Sequence, residues 1–278
     1  MFEPLAYDFM QNAYAAGTIV AIVVAAVGFF VVLRGLTFAG DALAHVGFAG
    51  AAGVILLGLP PIYGMFALCV VGGIVMGLLG ERVRERDVAI GIVMAFALGL
   101  GALFLSLYTR YASEAFNILF GTILGVSHQD LLITSLAGLA TLLVLAFIAR
   151  PLLFASIDPE VAEARGVPVR LLSALFLVLL AIAVAQAVQV VGILLLLTLL
   201  VGPAATANHL THRPGAAVAL AVAIAVLETW AGITLAYYNK APVSFFIAAI
   251  SFALYLAARL GGQVLASRRA PAPAGTSG

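Results

Sequence analysis

The side chains with chemical capacity fall in a few short stretches. GDALAH, residues 40–45, carries Asp41 and His45 four positions apart, which places both on one face of a helix. Glu228 stands in AIAVLETWAGITLAYY, His128 in GVSHQDLL, and His209 and His212 in ATANHLTHRP. A carboxylate oxygen and an imidazole nitrogen on successive turns can reach one ion, a donor set suited to zinc, manganese or iron(II). Two ligands are too few for tight binding. A second copy of the chain would supply four around a common axis, which suits an ion in transit. The plainer alternative is a structural Asp–His hydrogen bond at a helix start, with Asp41 as the cap.

The surroundings of these residues are apolar. Of 278 residues, 64% are hydrophobic and 9% are charged, against about 25% charged in a soluble domain. Lipid is therefore the solvent for most of the surface, and the chain reads as an all-α polytopic membrane protein. The net charge of +1 is spread over short loops, so no nucleic-acid surface is expected. A single cysteine, Cys69, excludes an intrachain disulfide; within LCVVGG it reads as a small buried residue. MFEPLAYDFMQNAYAAG has no basic n-region, so no cleavable signal peptide is expected. A single transmembrane domain is expected over 1–266, followed by a Pro/Ala/Gly/Ser-rich disordered tail over 267–278.

A spanning helix needs about 20 mostly apolar residues. Runs of that kind cover roughly 16–34, 39–58, 62–80, 88–107, 130–149, 171–189, 191–208, 215–236 and 243–260. The pair 171–189 and 191–208 also reads as one long helix followed by a broken one, so eight or nine helices are expected. NILFGTILGV, 117–126, is too short to span and reads as a re-entrant segment. With the N-terminus outside, Arg34, Arg82, Arg84, Arg86, Arg150, Arg165, Arg170, Arg213, Arg259, Arg268 and Arg269 face the cytoplasm and only Arg110 and Lys240 lie outside, so eleven of the thirteen basic residues obey the positive-inside rule. That orientation puts the C-terminus in the cytoplasm.

Two cytoplasmic loops stand out. ERVRERD, 81–87, reads as a solvated topology anchor. In RPLLFASIDPEVAEARGVPVR, Asp158 reads as an N-cap, Pro159 as the first helical residue and Gly166 as a C′ stop. The two-turn helix between them, with Glu160, Glu163 and Arg165, is either a connector or a docking knob for a soluble partner.

A carboxyl or imidazole inside a span costs at least a few kcal/mol and is a functional candidate for that reason. Glu228 is a candidate to line a pathway, or equally a buried carboxyl satisfied by hydrogen bonds. His128, His209 and His212 lie at span ends, where solvated histidines are the plainer expectation. The sequence contains no GxxxxGK[ST] phosphate loop, so any use of ATP would need a separate ATPase chain.

FVVLRGLTFAGDALAHVGFAG resembles the second-helix region of permease subunits of ABC-type manganese/zinc/iron importers. LAYDFMQNA, DVAIGIVMAFALGLGALFLSL, NILFGTILGVSHQDL, DPEVAEARGVPV and VVGILLLLTLLVGPAATA resemble the same family in the same order, over about residues 5–258. The resemblance implies a bacterial plasma-membrane importer for a divalent metal, with no ATPase site of its own and no permanently bound cofactor. It implies a homodimeric pore, a cytoplasmic ATPase dimer docked on it, and an extracytoplasmic metal-binding lipoprotein or periplasmic protein. It places metal contacts at Asp41 and His45, and the coupling helix at Asp158–Gly166. Two other readings compete: a proton-coupled secondary transporter using Asp41 and Glu228, and an ABC permease for a metal chelate. An intramembrane hydrolase lacks a nucleophile in any recognisable motif.

Overall fold

Helix length follows from the solvent. Within hydrocarbon every backbone N–H and C=O must be satisfied inside its own segment, and the long Ala/Val/Leu/Ile runs meet that demand as helices. The computed structural model describes residues 7–79, 83–107, 119–121, 123–239 and 241–269, with backbone alone for 83–86 and 262–269. Glu81 and Arg82, the side chains of Arg84, Glu85 and Arg86, the side chains of Arg268 and Arg269, Arg110, Lys240, parts of 117–126 and the segment 270–278 lie outside what is described.

Ten α-helices are present among the described residues: α1 (Asp8–Leu33), α2 (Thr37–Ile55), α3 (Pro61–Leu79), α4 (Val83–Ser106), α5 (His128–Ile157), α6 (Pro159–Ala164), α7 (Val169–Val191), α8 (Ile193–Leu210), α9 (Pro214–Asn239) and α10 (Val243–Arg269). A single 3-10 turn, Ile123–Gly125, precedes α5. Every helix except α6 is long and apolar enough to cross a membrane, nine in all among the described residues.

The nine long helices alternate in direction between two ends of the bundle. At one end, Arg34 after α1 reaches Ser156 of α5 and Ser173 of α7. At the other, Asn12 of α1 donates to the Val126 carbonyl before α5, and Gln189 near the end of α7 donates to Asp130 at the start of α5. α1 is the most enclosed helix, packed on α5, α7, α8 and α9; α2 packs on α3, α4, α7 and α8. The outer face of α5 is an exposed stripe of Leu132, Leu136, Leu139, Leu143 and Phe147, the helical spacing of a face turned to lipid.

Since lipid tails are as apolar as Leu, helices associate through close packing of small residues. Gly50 on α2 and Gly64 on α3 meet so closely that a Cβ on either would run into the other's carbonyl. Cys69 lies on the same seam, buried, its thiol donating to the Leu43 carbonyl at 3.3 Å.

The uncertain region 171–208 is two helices. The break is one residue, Gly192, at φ 84° and ψ 165°, a conformation essentially confined to glycine that costs a residue with a Cβ about 1–3 kcal/mol. Gly121, itself at φ 74°, packs backbone to backbone against it.

Candidate functional site

α1 ends at Leu33, the chain turns through Gly35 at φ 64°, and α2 begins at Thr37. Asp41 is therefore a full turn inside α2, about 6 Å from its start, and His45 about 12 Å. The N-cap of α2 is Leu36, which makes no side-chain cap, so Asp41 does not cap the helix. The His45 Nε2 to Asp41 Oδ1 distance is 4.0 Å, beyond hydrogen-bond length. The side chains are 26% and 31% exposed respectively. Both groups thus share a face that this single chain leaves open. Among the described residues, no three His, Cys, Asp or Glu side chains come together to hold a metal ion. Among the described residues, one chain offers a carboxylate and an imidazole here and no third ligand from these residue types.

Glu228 lies elsewhere. It is buried on α9, which packs on α1, α8 and α10, a different seam from that of Asp41 and His45. Ser251 of α10 is its polar neighbour, yet neither carboxyl oxygen has a hydrogen-bond partner among the described residues. Its neighbour Thr229 faces Gly17 of α1, and Trp230 donates from Nε1 to Thr18 Oγ1 at 2.8 Å. The histidines are also dispersed. His128 is exposed in the first turn of α5. His209 and His212 are exposed around the end of α8, with the His209 ring 5.6 Å from that of Tyr255.

The loop helix α6 has complete caps. Asp158 Oδ1 accepts from the Val161 N–H at 3.0 Å, and Pro159 occupies the first turn. At the other end Gly166, at φ 82°, donates to the Glu163 carbonyl at 2.9 Å and Val167 to the Ala162 carbonyl at 3.0 Å, the paired bonds of a Schellman motif. Glu160, Glu163 and Arg165 are exposed, while Ala162 is buried against the bundle. The short helix therefore stands at the end of the bundle with its charged side outward.

Sequence reasoning missed two polar features. Ser127 and Asp130 form a capping box at the start of α5, with Ser127 Oγ accepting from the Asp130 N–H at 3.1 Å; the Ser-x-x-Asp spacing before an apolar run was its signal. Gln186 of α7 is buried beside Gly138 of α5, its amide without a hydrogen-bond partner among the described residues. Two glutamines within the apolar run AVAQAVQVV, Gln186 and Gln189, were the signal there.

The match to known sequences covers this whole arrangement: the profile described as ABC 3 transport family aligns with residues 6–261. The chain belongs to that family. Among its relatives, the manganese transport system membrane protein MntC of Halalkalibacterium halodurans is 34% identical over 230 residues, 82% of this chain and 79% of the relative. The manganese import system permease protein ScaB of Streptococcus parasanguinis is 33% identical over 232 residues, 83% of this chain and 82% of the relative. A solved structure of PsaBC from Streptococcus pneumoniae in complex with Fab superposes with a TM-score of 0.81 at 31% identity, covering 91% of each chain. Family membership makes this a multi-pass permease of the ABC transporter class, and the nine long helices are its membrane spans.

Proposed function

We propose that this chain is the membrane-spanning subunit of an ABC importer for a divalent transition metal ion, manganese, zinc or iron(II), and that two copies form the pore. The observation that carries the reading is the Asp41–His45 pair. It presents oxygen and nitrogen ligands on one open face of α2, 4.0 Å apart and not bonded to each other. Two copies would complete a four-ligand site of the type such ions accept. The manganese transport named in the relatives supports the same substrate class.

In this reading the N-terminus is outside, the end bearing α6 is cytoplasmic, and a separate ATPase dimer docks on α6 through Asp158–Gly166. An extracytoplasmic binding protein delivers the ion, and ATP hydrolysis in the partner alternates access to the α2 ligands. The chain itself has no ATPase site. Glu228, on its own seam, is not part of the path.

The test is competitive uptake of manganese and zinc in cells lacking the native gene, with wild-type chain, Asp41→Ala and His45→Ala at matched membrane levels. Loss of uptake in variants that still insert and still retain the ATPase supports the reading, and the wild-type ratio names the preferred metal. Normal transport by both variants overturns it.

A further inference from the structure

Glu228 is the only charged side chain on α9 and is fully buried, with both carboxyl oxygens unpartnered among the described residues. A bare carboxyl at that depth carries a large desolvation cost and calls for a counter-charge or a proton. The helices packed on α9 are α1, α8 and α10, and none brings a cationic side chain to it. Asp8, in the first turn, is the only charged residue of α1. His209 near the end of α8 and Arg259, two turns beyond Ser251 on α10, are both exposed. Arg268 and Arg269 lie about 25 Å further along α10 than Ser251. Among the described residues no ion pair reaches Glu228.

Oxygen atoms gather there instead. Ser251 of α10, 3% exposed, stands beside the carboxyl. The same hydroxyl abuts Gly202 of α8, where a Cβ would run into it. Thr206 is one turn further along that face of α8. It too is buried, and its hydroxyl oxygen has no partner among the described residues. The backbone adds another oxygen. Pro203 stands inside α8 with no N–H to give, so the Leu199 carbonyl lacks its usual helical bond. Leu199, Gly202 and Thr206 share one face of α8, at i, i+3 and i+7.

The set is all oxygen, with one negative charge and one carbonyl freed from helical bonding. Oxygen donors suit hard cations, and interrupted membrane helices hold sodium ions through such carbonyls. One carboxylate balances one positive charge, whereas a divalent ion would leave an excess charge in an apolar seam. A proton on Glu228 would answer the charge and leave the Thr206 and Leu199 oxygens without a partner.

We propose that Glu228, Ser251, Thr206 and the Leu199 carbonyl bind a monovalent alkali cation, sodium or potassium, between α8, α9 and α10. The ion ties three helices that lie apart from Asp41 and His45, and it acts on stability rather than as cargo. Its approach is from the end of α8, where the His209 ring stands 5.6 Å from that of Tyr255, one turn beyond Ser251.

The test is thermal unfolding of the full chain in mild detergent, at fixed pH and equal ionic strength, in sodium, potassium or choline chloride. Trp230, the single tryptophan and two residues from Glu228, is the fluorescence reporter. Sodium or potassium should raise Tm saturably, by about 3 °C at ten times the Kd, and choline should not; the larger rise names the ion. Glu228→Gln should fold and erase the rise. Ser251→Ala and Thr206→Val should each increase the concentration for half effect about fivefold, and they carry the test if Glu228→Gln fails to accumulate. One Tm in all three salts, an undiminished rise in Glu228→Gln, or wild-type response in both hydroxyl variants overturns the assignment. A Tm that responds to pH and not to the salt, with that response lost in Glu228→Gln, gives the carboxyl a proton and overturns it as well. So does a rise with micromolar manganese that Glu228→Gln removes, which would make the site divalent.

Discussion

His45 Nε2 and Asp41 Oδ1 stand 4.0 Å apart on one face of α2, and neither takes a hydrogen bond from the other. Their lone pairs are therefore available to something outside the chain. If that something is an ion shared with a second copy, the two α2 helices must face one another. In a Cys69→Ala background, His45→Cys chains should form dimers with a short bismaleimide in native membranes. Phe147→Cys, on the exposed outer face of α5, should not. Efficient cross-linking at position 147 and none at 45 would place the copies back to back and remove the shared site.

The caps of α6 give a second prediction. Asp158→Ala removes the N-cap and should cost the short helix about 1 kcal/mol. Gly166→Val forces a β-branched residue to a φ of 82°, with about 1–2 kcal/mol of strain. Both variants should insert normally, since no membrane-spanning contact is lost. Both should recover less ATPase in affinity pull-down from solubilised membranes. Full recovery in the two variants together would separate α6 from docking.

Two glycines at positive φ differ in what surrounds them. Gly35 has φ 64° and open space around it, whereas Gly192 has φ 84° and the backbone of Gly121 against it. Gly35→Ala should lower stability by about 1 kcal/mol through strain alone. Gly192→Ala meets a backbone at φ 84° and ψ 165° that is essentially confined to glycine and adds a steric clash, and should cost several times more, on the order of 3 kcal/mol. Thermal shift of detergent-solubilised protein, followed by size-exclusion chromatography, reads the difference; equal shifts would show that the Gly121 contact yields without cost.

Glu228→Gln tests the carboxyl that the proposed path leaves aside. The amide keeps the shape of a side chain whose oxygens have no bonded partner among the described residues, so accumulation should be unchanged and metal uptake within about twofold, the effect of less than 1 kcal/mol. A loss of uptake as deep as that of Asp41→Ala would bring Glu228 into the pathway.

What could be read from the sequence was what local chemistry dictates. The nine spans follow from run length, and α6 follows from Asp158, Pro159 and Gly166, each of which acts on its own few residues. The turn at Gly192 was only half legible, because AVQVVGILLLLT is apolar on both sides and holds Gln189 as its single polar residue before the reversal. Helix rotation was not legible. Whether Glu228 faces α2 or Ser251 depends on which small residues seat one helix against another, as at Gly50 and Gly64, and that is decided between segments far apart in the chain. The face shared by Asp41 and His45 needed only helical spacing; its openness needed the neighbours.

Asp158 closes α5 and opens α6 at once: its N–H reaches the Phe154 carbonyl while its carboxylate receives the Val161 N–H. Asp158 alone separates the two helices, so the joint has little slack. α5 is 30 residues long, a rod of about 45 Å, and its far end is tied to α7 through Asp130 and Gln189. A displacement of α6 is therefore not absorbed in a loop. It loads α5 directly, and Pro151, seven residues before Asp158, is the point inside that helix where a bend would be taken up.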